Sequence, residues 1–231
     1  MRLLDLETDS CLRTFVEHED DIWKVTITPD GRHALSASLD KTLRLWDLKT
    51  GTCLHVFGGH ENWVRTVAVT TDGRHAISGS TDRTLRLWEL ETGNCLQVLK
   101  GPTPVETVAL TPDGYYALAG GSDGTLQLWD LQSGECLRVF EGHKLNVFSV
   151  TITPDGCRAI SGSVDKSLRV WDLDWDYRFP EPKDWDESAR SYLENFLTLH
   201  TPYASEIPVG KQPTEKEIQL TLTRQGTPSW T

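Results

Sequence analysis

Histidine, serine and aspartate recur together along this 231-residue chain. His18, Ser36 and Asp40 form one set, His60, Ser78 and Asp82 a second, and His143, Ser161 and Asp165 a third. These are the residue types of a nucleophile, its general base and the acid that orients the base. Their spacing argues against that use. The His-to-Asp interval is 22 residues in every set, and a Trp stands six residues after each Asp, as Trp46, Trp88 and Trp171 do. One active site does not require three copies of its parts, so the recurrence points to architecture. Glu17, Glu19, Asp20 and Asp21 form the only other carboxylate cluster near these residues. The other repeats do not echo it, and it reads as a solvated loop rather than a metal site. No CxxC pair and no phosphate loop (GxxxxGK followed by Ser or Thr) occurs. The sequence therefore predicts no catalytic residue, no metal and no cofactor.

The elements that carry these residues repeat as well. TLRLWDL (42–48) returns as TLRLWEL (84–90), TLQLWDL (125–131) and SLRVWDL (167–173), and the tryptophans lie 42, 41 and 42 residues apart. A period in the low forties with a Trp-Asp ending signals four-stranded propeller blades. WKVTITP (23–29), TLRLWDL and CLHVF (53–57) alternate apolar and polar residues, the mark of a half-buried strand, and HALSAS (33–38) between them is rich in small residues. Pro29-Asp30-Gly31, Leu39-Asp40-Lys41 and Thr50-Gly51 separate the strands. Asp and Gly there supply local hydrogen bonds and positive φ, as tight turns demand.

These motifs resemble the WD-repeat family over residues 1–173. The resemblance implies an all-β fold of four propeller blades. It also implies a structural network in each blade: His18, Ser36, Asp40 and Trp46; His60, Ser78, Asp82 and Trp88; His143, Ser161, Asp165 and Trp171. The third blade keeps Asp123 and Trp129, but Pro102 stands in the His place and Ala119 in the Ser place. It is expected to be the least stable of the four, since a buried Trp N–H needs an acceptor.

The ends fit the repeat poorly. Residues 1–17 align with the third and outer strands of a preceding blade, with Leu4 in the Trp place. Residues 18–173 hold the four repeats, and the last stops after its third strand. Complete rings of the family close by lending the first strand to the last blade, so the resemblance implies an incomplete ring. The favoured expectation is a fragment of a longer bacterial WD-repeat protein. The competing one is a homodimer closing an eight-bladed ring. Residues 174–231 form a C-terminal extension with a helix expected over 184–199, where Trp185, Ala189, Tyr192, Leu193, Phe196 and Leu197 share a face. A weaker helix is expected from about Thr214 to Arg224.

The net charge of −11 argues against a nucleic-acid partner, and no stretch is apolar for long enough to cross a membrane as a helix. Four of the five cysteines (Cys11, Cys53, Cys95 and Cys136) share one repeat position, which keeps them apart on successive blades, so a reducing, cytoplasmic setting is expected. Columns that vary between repeats are free to carry specificity. One reads Trp23, Arg65, Glu106 and Phe148, a second Asp21, Trp63, Pro104 and Asn146, and a third Leu39, Thr81, Ser122 and Val164. The resemblance places all three on one face of the blades. Trp23, Trp63, Arg65, Glu106, Asn146 and Phe148 are the expected contacts for protein or peptide partners, since Trp and Arg dominate interface hot spots. The expected function is a non-catalytic interaction scaffold. The alternative is the regulatory end of a larger kinase or NTPase.

Overall fold

The computed structural model describes residues 1–173, and these form seventeen antiparallel strands. The first blade contains β3 (Ile22–Ile27), β4 (His33–Ser38), β5 (Leu43–Asp47) and β6 (Cys53–Phe57). The second contains β7 (Val64–Val69), β8 (His75–Ser80), β9 (Thr84–Glu89) and β10 (Cys95–Lys100). The third contains β11 (Val105–Leu110), β12 (Tyr116–Gly121), β13 (Leu126–Asp130) and β14 (Cys136–Phe140). The fourth has three described strands, β15 (Val147–Ile152), β16 (Arg158–Ser163) and β17 (Leu168–Asp172). Ahead of them, β1 (Arg2–Leu4) and β2 (Cys11–Thr14) pair as a half-blade. The architecture is all-β and propeller-like. The expected helices fall outside the described residues.

Each strand junction has a local cause. Between the first two strands of the first blade, Asp30 Oδ1 accepts from Thr28 Oγ1 (2.5 Å) and Arg32 N–H (3.0 Å), while Gly31 takes a φ of 67°. The first strand thus ends before Pro29, two residues earlier than the alternation predicts. The next turn needs a left-handed residue after Asp40, and Lys41 adopts a φ of 71°. Asp40 Oδ1 offsets that cost by accepting from both Thr42 N–H (2.9 Å) and Thr42 Oγ1 (2.6 Å).

The cores lie between blades. Ile77, Leu85 and Leu99 of the second blade pack with Val105, Val108, Ala117, Ala119, Trp129 and Leu131 of the third. One blade alone would leave that face in water, so neighbours stabilise each other. The second strands of the first three blades, β4, β8 and β12, are buried along almost their whole length, hence their small residues. A Cβ on Gly79 would fall 2.4 Å from Val105 of the next blade, so only glycine permits this approach. Phe15, Phe57 and Phe140 set their rings edge-on against Trp46, Trp88 and Trp171 at 5.6–5.7 Å, tying these outer-strand ends to the following blade, while β10 carries Leu99 at that place.

Candidate functional site

The His, Ser, Asp and Trp side chains meet inside the first, second and fourth blades. Trp46 Nε1–H donates to Ser36 Oγ at 2.8 Å, Ser36 Oγ lies 2.6 Å from His18 Nε2, and His18 Nδ1 lies 2.6 Å from Asp40 Oδ2. In the second blade the same three contacts measure 2.8, 2.7 and 2.8 Å. In the fourth they measure 2.8, 2.7 and 3.0 Å. One proton arrangement satisfies every atom. The Trp donates to the Ser oxygen, the Ser hydroxyl donates to neutral His Nε2, and His Nδ1–H donates to the carboxylate. The carboxylate also accepts the backbone N–H of the residue after the His, at 3.2 Å from Glu19, 3.0 Å from Glu61 and 2.9 Å from Lys144. It thereby pins the loop that enters each blade.

Burial pushes the His60 imidazole below its ordinary value despite Asp82 beside it, and does the same to His18. Burial alone would raise Asp40, but hydrogen bonds from Thr42 and His18 outweigh it and bring the carboxyl down to about 2. Asp82 is lowered for the same reasons. Asp165 is also held low, chiefly by the hydroxyl of Ser167. A neutral His between a Ser and a carboxylate is the composition of a nucleophile's triad. Here Ser36, Ser78 and Ser161 are all buried, and each oxygen accepts from an indole. A hydroxyl so enclosed cannot meet a substrate. The network holds the blade and its loop.

The third blade lacks the middle of this chain. Asp123 Oδ1 still accepts from Thr125 N–H (3.0 Å) and Thr125 Oγ1 (2.8 Å), but Trp129 Nε1 is buried with no hydrogen-bond partner among the described residues. Its loop finds a substitute. Thr103 Oγ1 meets Ser122 Oγ at 3.0 Å, whereas Ser38, Ser80 and Ser163 bond to loop carbonyls in the other blades.

The variable columns lie at the end of the blades that holds this network. The N–H groups of Leu39, Thr81, Ser122 and Val164 donate to the carbonyls of Asp21, Trp63, Pro104 and Asn146 at 2.9–3.0 Å, so the second and third columns stand side by side in every blade. The first column forms a row that crosses blades. The Arg65 guanidinium lies 4.3 Å from the Trp23 ring of the first blade and 5.7 Å from the Trp63 ring of its own. On the other side, Arg65 Nε lies 3.2 Å from Glu106 Oε2 of the third blade, an ion pair without hydrogen-bond alignment. Trp23 and Trp63 remain 51% and 45% exposed, and Phe148 is similarly open. Asn146 is half-buried.

Glu106 departs from the expected contact set. Its side chain is only 5% exposed, because β11 is packed between β7 and β15 and Arg65 lies over it. It acts as an anchor for Arg65, not as a surface a partner can touch. Lys41, Arg83 and Lys166, which follow the turn aspartates, all take positive φ of 68–71°, where Gly124 stands in the third blade. At the opposite end, a cleft of about 610 Å³ opens between the first two blades, lined by His33, His55, His75, Asp30, Asp72 and Glu89 among others. Sequence reading missed both this cleft and the Trp23–Arg65 stack. No group of His, Cys, Asp and Glu placed to hold a metal occurs among the described residues.

A search of curated proteins returned no match. The family model for the WD domain, G-beta repeat, matches residues 9–47, 51–89, 93–130 and 134–172. Each matched unit begins on an outer strand and runs through the next blade's third strand, in step with the ring stacking that ties one blade to the next. With these four matches covering most of its length, the chain belongs to the WD domain, G-beta repeat family.

Proposed function

We propose that this chain is a non-catalytic interaction scaffold that binds a protein or peptide segment at the network-bearing end of the first two blades. Repeats of this family generally serve as protein-interaction scaffolds. The observation that carries the reading is the row of Trp23, Arg65 and Trp63. Two half-exposed indoles flank one guanidinium, and that guanidinium is held from behind by buried Glu106. Large exposed aromatic surface is costly to keep without use, and rigid Trp and Arg are the commonest anchors of interfaces. The arrangement is preorganised, so little side-chain freedom is lost on binding. Asn146 and Phe148 extend the same end of the molecule to the fourth blade.

The test is selection of peptide ligands on the full chain, followed by titration against Trp63→Ala and Arg65→Ala. We expect each variant to weaken binding by on the order of 2 kcal/mol, about thirtyfold. A His55→Ala change in the opposite cleft should leave affinity unchanged. Equal affinity for the wild type and the Trp63 variant would overturn the proposal.

A further inference from the structure

Among the described residues, two blade faces are left without the neighbour that their equivalents have. Each interior interface joins the trailing face of one blade to the leading face of the next. On the trailing side, Leu43, Leu85 and Leu126 are buried to 1% exposure or less, yet the equivalent Leu168 of the fourth blade is 79% exposed. Ile160 is likewise open, where Leu35, Ile77 and Leu118 are buried. On the leading side, Val67, Val108 and Val150 are buried, while the equivalent Val25 of the first blade is 40% exposed. The open trailing face therefore carries the same residue types, on the same strands, that fit a leading face three times over within the chain.

The strand edges tell the same story. In the first blade, Leu43, Arg44, Leu45 and Trp46 pair with Phe57, Val56, His55 and Cys53, with a bulge before Trp46. The half-blade repeats this register: Arg2, Leu3 and Leu4 pair with Thr14, Arg13 and Cys11, with the bulge at the same place. The Met1 carbonyl accepts from Phe15 N–H at 2.9 Å, in the position of Leu43. Met1–Leu4 thus stand where Leu168, Arg169, Val170 and Trp171 would stand if β17 were the partner of β2. β17 has the longer run, with five residues against three, and no described strand pairs with its outer edge.

We propose that two copies of this chain pair about a twofold axis, with β17 of each displacing β1 and taking β2 of the other as the fourth strand of its last blade. The trailing face of each fourth blade then covers the leading face of the other copy's first blade. A twofold pair satisfies both open faces of both copies at once and removes the exposed strand edges. The interface continues the three already present inside the chain, which is why a second copy is the occupant that fits. It also extends the row at the network end, with Phe148 of one copy preceding Trp23 of the other.

The test is the mass of the full chain by light scattering behind a sizing column. The expected result is one species of twice 26.0 kDa for the wild type. Leu168→Asp and Val25→Asp should each give a species at 26.0 kDa. Both side chains face water in a single copy, so far-ultraviolet circular dichroism should be unchanged in these variants. A wild type at 26.0 kDa at all concentrations, a ladder of larger species, or a pair that survives Leu168→Asp would each overturn the proposal.

Discussion

Ser78 is the residue on which the second blade's network turns, because its one oxygen serves both Trp88 Nε1 and His60 Nε2. Replacing it with Ala leaves both atoms buried and unpaired. The expected cost is about 1–3 kcal/mol, read as a lower midpoint in urea. The third blade already carries that defect, since Ala119 offers Trp129 Nε1 no acceptor. Ala119→Ser should therefore stabilise the chain by roughly 1 kcal/mol, and loss of stability there would refute the account. The network also sets a pH dependence. His60 and His18 are lowered from 6.5 by burial, so the unfolded chain binds these protons more readily. Their contribution to stability is complete above pH 6.5 and is lost as pH falls through the depressed values. Asp40, lowered from 3.8 to about 2, adds a contribution that is intact above 3.8 and lost as pH falls toward 2. Urea midpoints measured against pH should fall in two stages, and His60→Gln should flatten the upper one. A profile that stays level from pH 7 down to about 4 would contradict this assignment of the histidines.

Among the elements, the second and third blades make a fair comparison, because each has a neighbour on both sides. They differ in the middle of the network. The second joins its loop to its core through His60, while the third has Pro102 at that place. Backbone amides of β11, β12 and β13 should exchange with deuterium faster than those of β7, β8 and β9 under native conditions. Equal or slower exchange in the third blade would mean that the Thr103–Ser122 contact compensates for the missing histidine. The fourth blade is a separate case. What sets it apart among the described residues is the exposure of Leu168 and Ile160, not a missing hydrogen bond, since its own His143, Ser161 and Trp171 contacts are complete.

At the scale of the whole described region, the energetics are those of a stack. Apolar burial is shared between successive blades, so stability is a sum of neighbour interfaces rather than the property of one core. That arrangement separates two jobs. The inner and middle strands supply rigidity, and the loops at the network end are free to vary in sequence. The Trp23–Arg65–Glu106 row uses three blades for one feature, so a contact surface there depends on the blades keeping their mutual register. Pairing of two copies would act on the same quantity by fixing the outermost blades.

Much of this was legible in the residues. HALSAS and CLHVF coincide with β4 and β6, because strand edges in a repeat are marked by the same turn residues each time. The blade network was legible from spacing, since His, Ser, Asp and Trp lie within one repeat and hydrogen-bond within it. The position of Glu106 was not. Its column suggested an open contact, yet its environment is set by Arg65 on one neighbour and by the packing of β11 between two others. The exposure of Leu168 and Val25 was hidden in the same way, because their sequences match those of buried counterparts. Sequence alone determined whatever a single repeat decides by local periodicity, turn chemistry and short-range hydrogen bonding. Only the tertiary structure decided which side chains face water, because burial in a propeller is conferred by the next blade.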